Sequence, residues 1–518
     1  MKVFSDELRE WEFIEGEGID PTDSFGVNLR LSVREDQIFL AEPSDLDTPW
    51  LTDRGRLFFD GMFEKSVSDD IINWSHFFES LAESIYFFDH LNLQKQNSLS
   101  LTVVFENVSI EIINMLYLIE QSYSFVKLRK AENFNIDNDF EVAQLNSTLN
   151  KSKLFMSNLG IVLNTNTRHE GYALNLSLRQ RFLKGDFKLL YIGSILDITL
   201  PVSNLGSNMS IMQSISEGTH LSCQDIKNSD FPLLITNTEI FKRKDSKHLI
   251  KMLKYTGIIN TAWNGLNILN HSISSAGVNS LNTFLPISSE DFGNFFGLYF
   301  INTSLNSVPN IKKLIDLQLL NILFSSNQSN AKFFIDQNNN TENKDIYEKL
   351  KSKMVQKYSY LPNNLFLEDN ETFINTQGLF KRITKLINFK KDSKSNWQII
   401  RKFYANSKTL SYLNNKKDNN IVNFDCINVF NYKNYINFQF NAVNALTSLS
   451  FYLNKQNKPM IKSLNSPIKD TQSKVFNTKL KNWLDDFFMG NGKDSFSYNS
   501  SVMSKSSKII RINSTNFF

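Results

Sequence analysis

The chain has 518 residues, a formal net charge of +3, 19 glycines, 10 prolines and 2 cysteines. This length allows about three domains, and the near-neutral charge does not indicate nucleic-acid binding. The scarcity of glycine and the absence of a complete G-x-G-x-x-G or P-loop motif disfavour dinucleotide and nucleotide sites, and Cys223 and Cys426 alone cannot ligate an iron–sulfur cluster.

Residues 1–70 combine an extended pattern with a strongly acidic charge. Residues 25–34 alternate apolar and polar side chains, Glu35 and Asp36 supply a turn, and residues 37–40 resume the alternation, which predicts a β-hairpin. The whole segment carries 18 acidic against 7 basic side chains, a net charge of −11. Such a segment is typical of a solvated face, and the alternative is an interface with a partner.

Apolar runs and helical periodicities alternate over the next part of the chain. Helices are predicted over 69–91, 111–123, 172–183, 209–216 and 248–255, and strands over 101–105, 160–163, 187–192 and 231–235. Strands that alternate with helices form parallel sheets with right-handed crossovers. We therefore expect an α/β fold, with a parallel Rossmann-like sheet flanked by helices and preceded by a small β-rich segment.

The chain shows no targeting or membrane-spanning pattern, and its second half is rich in Asn and Lys. No run of 18 apolar residues is present, and the N-terminus lacks the features of a signal or transit peptide. The 44 phenylalanines and the abundance of Asn, Lys and Ile are typical of AT-rich codons, which weakly favours an organelle gene. The stretches 337–345 and 414–420 are predicted surface loops or partly disordered insertions.

These patterns predict four units along the chain. They are a β-rich segment over 1–62, an α/β Rossmann-like region over 63–300, a second α/β and β region with the Asn/Lys-rich insertions over 301–430, and a helical or extended tail over 431–518.

Few side chains form a pattern that indicates catalysis. Arg168, His169 and Glu170 follow a predicted strand, at the edge where α/β folds bind ligands. Arg168 and His169 could hold an anion there, although a structural ion pair that fixes the loop is the favoured interpretation. His220 is interpreted as a helix-end residue. The sequence indicates no relay of charged groups that would make the neighbouring Cys223 a nucleophile.

An aromatic cluster near residue 300 favours a core face over a base-stacking platform. Its members are Phe292, Phe295, Phe296, Tyr299 and Phe300. Composition and periodicity thus indicate few credible catalytic groups, and we assign no catalytic, cofactor-binding or metal-ligating residue.

Two ordered blocks near the N-terminus resemble a known family. The first is R-E-W-E at 9–12 followed by E-G-I-D-P-T-D-S-F-G-V-N at 17–28, and the second is W-L-T-D-R-G-R-L-F-F-D-G at 50–61. They are similar to R-P-W-E, E-S-I-D-x-x-D-x-x-G-S-N and W-[IL]-[ST]-D-[KR]-x-R-F-x-x-D-G in the family of the large iron–sulfur subunit of respiratory complex I. Leu57 replaces the Phe of the second block.

Weaker matches continue in the same order to the end of the chain. They are N-T-N-T-R-H-E at 164–170 with Asn175 and Arg179, N-L-G at 204–206, L-P at 361–362 through Glu368 to F-I-N-T-Q-G at 373–378, N-W-Q-I-I-R at 396–401, D-F-F-M at 486–489 and S-K-S-S-K at 504–508. In the loop at 164–170, Asn164 and Thr167 stand where the family has Gly and Pro.

The resemblance implies a molybdopterin-oxidoreductase-like (dimethyl sulfoxide reductase-like) fold that serves complex I as a cofactor-free scaffold. The chain would then sit peripherally on the matrix side of the mitochondrial inner membrane, without a span of its own. It would support electron transfer from NADH to ubiquinone through clusters on partner chains. Because the family's iron–sulfur ligands precede R-P-W-E and Arg9 lies near Met1 here, we expect a split subunit whose ferredoxin-type domains are on a separate chain.

Two other functions stay open on the sequence. One is a molybdopterin-dependent oxidoreductase that retains its cofactor, which the low glycine count disfavours. The other is a diverged interaction protein that keeps the fold outside complex I.

Overall fold

The structure is a computed structural model. It describes residues 9–44, 49–60, 74, 100–122, 126–131, 149–194, 198–243, 245–258, 263–270, 272–280, 285–287, 295–303, 321–326, 358–364, 366–387, 393–404, 478–480, 500, 502 and 503. Of the predicted helix over 69–91 only Trp74 lies among them, and the stretches 337–345 and 414–420 lie outside them. No helix of this described part is long and apolar enough to cross a bilayer.

The N-terminal segment forms a three-stranded antiparallel sheet. Its strands are β1 Ile14–Ile19, β2 Asn28–Arg34 and β3 Gln37–Pro43, in the order β1-β2-β3. Glu35 and Asp36 both have positive φ, 50° and 60°, as a tight two-residue hairpin turn requires. The predicted hairpin is therefore present.

The second sheet has five parallel strands. They are β6 Leu159–Leu163, β7 Lys188–Ile192, β8 Ser203–Gly206, β9 Pro232–Asn237 and β10 Leu266–Leu269, in the order β10-β9-β6-β7-β8. The central strands are apolar and buried on both faces, as expected for a sheet covered by helices on both sides.

The third sheet has six parallel strands. They are β4 Ser100–Phe105, β5 Val126–Lys130, β11 Leu285–Pro286, β12 Phe295–Ile301, β13 Asn321–Ser326 and β14 Tyr358–Pro362, in the order β11-β5-β4-β12-β13-β14. A separate antiparallel hairpin follows, with β15 Glu371–Ile374 and β16 Phe380–Ile383.

Helices connect and cover these strands. They are α1 Asp53–Leu57, α2 Ile110–Ser122, α3 Lys151–Met156, α4 Thr167–Glu170, α5 Tyr172–Leu183, α6 Ser210–Ser216, α7 Ser222–Asn228, α8 Ser246–Tyr255 and α9 Ser275–Ser280, with a helical stretch over 396–404. The predicted helices over 111–123, 172–183, 209–216 and 248–255 coincide with four of them.

The antiparallel sheet packs on the same apolar cluster as one face of the five-stranded sheet. Leu29, Leu31 and Val33 of β2 are almost completely buried, and they share this cluster with Val162 and Leu189. Burial of each such side chain stabilises the fold by about 1.5–3 kcal/mol relative to exposure. The N-terminal segment is therefore an integral part of the folded body.

The predicted α/β fold with helix-flanked parallel strands is confirmed, and the parallel strands form two sheets. The six-stranded sheet pairs β4 with β12, which lie far apart in the chain, and this long-range pairing leaves no trace in local periodicity. The four-unit division stays a prediction, and this sheet contains strands on both sides of residue 300.

Candidate functional site

The chain reverses its course across the five-stranded sheet between β6 and β9. From β6 it continues to β7 and β8 on one side and then returns to β9 and β10 on the other. In sheets of this order, ligands bind outside the carboxyl ends of the two strands at the reversal. We call the residues that follow Leu163 and the end of β9 at Asn237 the switch point.

The three residues singled out from the sequence lie at the switch point, in a helical turn and not in a loop. The amides of His169 and Glu170 donate to the carbonyl of Asn166, which closes α4. Arg168 is exposed, His169 is half-buried and Glu170 is buried. The three side chains therefore differ in burial along one helical turn.

Hydrogen bonds from Asn237 join the two ends of the switch point. Its Nδ2 donates to the backbone carbonyl of Asn164 at 3.0 Å and faces the two carboxylate oxygens of Glu170 at 3.3 and 3.4 Å. Asn164, Glu170 and Asn237 are each at most 6% exposed. These contacts fix the loop after β6 against the end of β9 through a side-chain amide, and the ion pair expected from the sequence stays a prediction.

The switch point holds buried polar groups without partners in the described part of the chain, and they include the hydroxyls of Thr236 and Thr238 as well as several acceptors. Besides the Glu170 carboxylate, the Oδ1 atoms of Asn164 and Asn237 are buried, and no donor in the described part of the chain reaches them. Phosphate oxygens are also acceptors, so they gain no hydrogen bonds from such groups, and a buried carboxylate repels their charge.

The loop itself is filled by side chains where phosphate-binding folds use glycine. Thr165, Asn166 and Thr167 are almost fully buried, and Thr165 Oγ1 donates to the carbonyl of Leu163 at 3.0 Å. Thr167 Oγ1 donates to Asn175 Oδ1 at 2.9 Å. Close approach of a backbone to a pyrophosphate needs residues without these side chains. The residues at the switch point therefore do not fit a phosphate-bearing cofactor.

A second cluster of buried polar groups lies where the N-terminal block meets helix α5. Asp20 Oδ1 accepts hydrogen bonds from Thr22 N (2.9 Å) and Thr22 Oγ1 (2.7 Å), and Asp20 Oδ2 accepts one from the Tyr172 hydroxyl (3.1 Å). Asp23 accepts from Phe25 N (3.1 Å) and Ala173 N (3.4 Å). The second carboxylate therefore caps the first turn of α5, which stabilises that helix end.

Burial changes the protonation of these groups. Desolvation raises the pKa of Asp23 to about 7, with a further contribution from the charge of Asp20. Desolvation also raises the pKa of Asp20, against the hydrogen bonds from Thr22 that favour its charged form. The pKa of Tyr172 lies well above its ordinary value because of burial and the two neighbouring carboxylates. All four carboxylate oxygens of Asp20 and Asp23 already accept hydrogen bonds from within the chain, so the role of the cluster is structural.

The second N-terminal block closes over this cluster. Arg54 is buried, and its guanidinium reaches the carbonyls of Thr22 and His169 at 3.4 Å each. A side chain at Gly55 would collide with the Asp20 carboxylate. Thr52 caps the start of helix α1, and its Oγ1 accepts a hydrogen bond from Gly55 N at 3.2 Å. The motif at 50–61 thus serves the joint between the antiparallel and five-stranded sheets.

A distant motif block meets the same joint. Asn375 Nδ2 donates to the carbonyl of Phe25 at 3.0 Å, and Thr376 N donates to the carbonyl of Ser24 at 3.1 Å. Ser500 Oγ donates to Asp60 Oδ2 at 2.6 Å. The block at 373–378 therefore contacts the first N-terminal block, whereas the Ser500 contact is a separate one. We refer to the contacts of Asp20, Asp23, Arg54 and Asn375 together as the N-terminal joint.

The other residues weighed from the sequence have structural surroundings. His220 lies just before α7, where its Nδ1 accepts a hydrogen bond from Ser222 N at 3.2 Å. The Cys223 thiol contacts the carbonyl of Ile215 at 3.5 Å. Tyr299 and Phe300 are buried in β12, whereas Phe292 and the side chains of Phe295 and Phe296 lie outside the described part.

Sequence reasoning missed the roles of Asp20, Asp23 and Asn237. The D-x-x-D spacing of the two aspartates was visible, but nothing local showed that both would be buried against α5. Asn237 ends a strand as an ordinary polar residue, and only the sheet order places it beside Glu170. In the described residues, no group of three or more His, Cys, Asp or Glu side chains is close enough to hold a metal ion.

Comparison with known proteins identifies one matching family model and several similar proteins. A family model described as Molybdopterin oxidoreductase matches residues 109–406. The chain is 31% identical over 300 residues to the NADH-ubiquinone oxidoreductase 75 kDa subunit of Reclinomonas americana, covering 53% of this chain and 43% of that protein.

Two further relatives are more distant. NADH dehydrogenase [ubiquinone] iron-sulfur protein 1, mitochondrial, of Solanum tuberosum is 22% identical over 52% of this chain and 38% of that protein. The NADH-ubiquinone oxidoreductase 78 kDa subunit, mitochondrial, of Candida albicans is 21% identical over 79% of this chain and 55% of that protein. The matches thus span about half of each relative's length, from 38% to 55%.

Proposed function

Because this chain belongs to the molybdopterin oxidoreductase family, we propose that it is a subunit of the peripheral arm of NADH:ubiquinone oxidoreductase (complex I) in which that fold serves as a scaffold. Three similar proteins carry names of this respiratory enzyme, from Reclinomonas americana, potato and Candida albicans. The chain would support electron transfer from NADH to ubiquinone without carrying the electrons itself.

The closed switch point carries this proposal. A molybdopterin cofactor bears phosphate, and the switch point offers a buried carboxylate, amide oxygens and side chains in place of glycine. Asn237 bonds the loop after β6 to the end of β9, so opening the crevice would break a buried hydrogen-bond network. The structure therefore supports a scaffold over an oxidoreductase that retains its cofactor.

The electron carriers belong to partners in this proposal. The sequence has 2 cysteines, fewer than one iron–sulfur cluster needs, whereas the potato relative is named an iron-sulfur protein. We assign the clusters to a ferredoxin-type partner, expected as a separate chain, and assign its docking to the acidic N-terminal segment. The remaining partners would be other peripheral-arm subunits.

The same proposal sets the location. Two of the relatives are named mitochondrial, and the described helices include none that could span a bilayer. We place the chain on the matrix side of the inner membrane, held there by other subunits, and propose that an organelle genome encodes it.

Metal analysis of the purified chain distinguishes scaffold from oxidoreductase. The scaffold role predicts molybdenum and tungsten far below one atom per chain, after expression in a host that makes the cofactor. A stoichiometric content of either metal would contradict the scaffold role. Tagged chain isolated from respiratory membranes should also bring down NADH dehydrogenase activity, which a diverged protein outside complex I would not do.

A further inference from the structure

The loop over 20–27, which joins β1 to β2, is held by three distant parts of the chain. Helices α1 and α5 and the block at 373–378 all bond to it. The loop also bonds to itself, since Gly26 N donates to the carbonyl of Asp23 at 3.1 Å. The N-terminal antiparallel sheet is therefore attached to the rest of the fold partly through this loop and the polar groups buried in it.

The charges buried in the loop do not balance when both of its carboxyls are ionised. Asp20 and Asp23 are 0% and 2% exposed. The guanidinium of Arg54 is also buried, and its positive charge favours the ionised form of both. It offsets one of the two negative charges, so a second ionised carboxylate leaves an excess charge away from water, which is unfavourable. A single proton on the pair removes this excess.

The other charged or titratable groups near the loop are mostly exposed or bonded elsewhere. Besides Arg54, helices α1, α4 and α5 carry at their starts Asp53, Arg56, Arg168, His169, Glu170 and Tyr172. Glu170 is buried beside Asn237. The buried Tyr172 hydroxyl donates to Asp20 and stays neutral, because burial holds its pKa well above the ordinary value. The block at 373–378 contains neutral side chains throughout. Within the described residues, Arg54 is therefore the buried cation that compensates the pair.

We propose that the loop over 20–27 is a proton-controlled clasp, which holds the N-terminal sheet while Asp20 and Asp23 share one proton and loosens when both are ionised. Burial and the charge of Asp20 raise the pKa of Asp23 from 3.8 to about 7. The closed loop therefore keeps a proton that the open loop loses, and its hold weakens as the pH rises from about 4 towards 7. The inference goes beyond the proposed function and does not depend on it, because every contact lies within this chain.

Hydrogen exchange of the full chain, followed by mass spectrometry at pH 5 and pH 8, tests the clasp. The reporter is the loop over 20–27, in which Asp20 N donates to the carbonyl of Val27 at 2.9 Å. The reference is helix α6 Ser210–Ser216, whose buried side chains pack on the opposite face of the five-stranded sheet. After correction for intrinsic exchange, protection of the loop should fall by about a hundredfold, tenfold for each pH unit up to about 7. Protection of α6 should change by less than about threefold.

Three variants identify the group that titrates. Asp23→Asn cannot ionise, so the fall in protection of the loop should shrink to less than about tenfold. Asp186→Asn is the matched control and should keep the fall, because it removes an exposed carboxylate at a positive φ of 53°, which Asn also adopts. His169→Gln should keep the fall as well. This variant is needed because histidine changes its charge between pH 5 and pH 8.

A fall that is confined to the loop and reduced in Asp23→Asn supports the clasp. Constant protection of the wild-type loop would overturn it, and so would a full fall in Asp23→Asn. An equal fall in α6 would also overturn it, since the change would then be one of global stability. If Asp23→Asn does not fold, His169→Gln decides. Persistence of the fall in that variant supports the clasp, whereas its loss would assign the pH dependence to the histidine and overturn the clasp.

Discussion

Asn237 donates its side-chain amide to Glu170 and to the backbone of Asn164, and these contacts close the carboxyl edge of the five-stranded sheet. The fold brings the ends of two strands together at the place where related sheets bind ligands. Here the same place is filled by side chains that hold the two strand ends together.

Replacing Asn237 should destabilise the chain. Asn237→Ala leaves the Glu170 carboxylate and the Asn164 carbonyl buried without this donor, which costs about 1–3 kcal/mol. Urea unfolding measures the change. Asn228→Ala, at an exposed position on α7, should change the free energy of unfolding by less than about 0.5 kcal/mol. An equal effect of the two variants would show that the contact does not hold the switch point.

Asp23 should make stability depend on pH. Its pKa is raised to about 7 in the folded chain from 3.8, so the folded state binds a proton that the unfolded state has lost between these values. Stability from this group is therefore full below about pH 4, falls as the pH rises towards 7, and is constant above it. The fall amounts to about 4 kcal/mol at most.

The variant Asp23→Asn should make this dependence shallower without abolishing it, because burial also raises the pKa of other carboxyls such as Asp20 and Glu111. Urea unfolding at several pH values between 4 and 8 compares its slope with that of the wild type. Asp230→Asn removes an exposed carboxylate and should leave the slope unchanged. A wild-type slope in Asp23→Asn would show that this carboxyl does not titrate as the buried cluster requires.

Gly55 should tolerate no side chain. A Cβ at this position would collide with the buried Asp20 carboxylate, and a buried charged group cannot move aside without losing its hydrogen bonds. Gly55→Ala should therefore lower the melting temperature. The control Gly277→Ala meets its nearest neighbour only at 3.7 Å within helix α9, so it should be neutral or stabilise by up to about 1 kcal/mol. Equal shifts for both would contradict the close approach at the N-terminal joint.

Asp60 should hold the segment around residue 500. Its Oδ2 accepts from Ser500 Oγ at 2.6 Å and from Val502 N at 3.4 Å. In Asp60→Ala, hydrogen exchange at the Val502 amide should accelerate, because local opening no longer breaks its hydrogen bond to Asp60. The Leu480 amide, bonded to the carbonyl of Ser207, serves as an internal reference that should not change. Unchanged exchange at Val502 would exclude Asp60 as the anchor.

Local patterns predicted much of the secondary structure. The hairpin at Glu35 and Asp36 and the helix Tyr172–Leu183 lie where periodicity and turn residues placed them, because their signals are contained within a few residues. The pairing of β4 with β12 was not predictable, since it depends on contacts between distant parts of the chain. The division of the strands into two parallel sheets follows from that pairing.

The functional residues were less accessible to sequence reasoning. The position of Glu170 after a strand indicated the switch point, but its helical turn and its bond to Asn237 depend on sheet order. Asp20 and Asp23 were visible as part of a motif, yet their burial follows from the packing of the N-terminal sheet against α5. Motif spacing can identify such residues, whereas their environment comes from tertiary structure.

The most direct test of the central claim is the distribution of this chain in a native separation of solubilised mitochondrial membranes. The account predicts that most of the chain migrates with the large assembly that has NADH dehydrogenase activity, at one copy per iron–sulfur partner. Migration of most of the chain as a free monomer, apart from that activity, would contradict it.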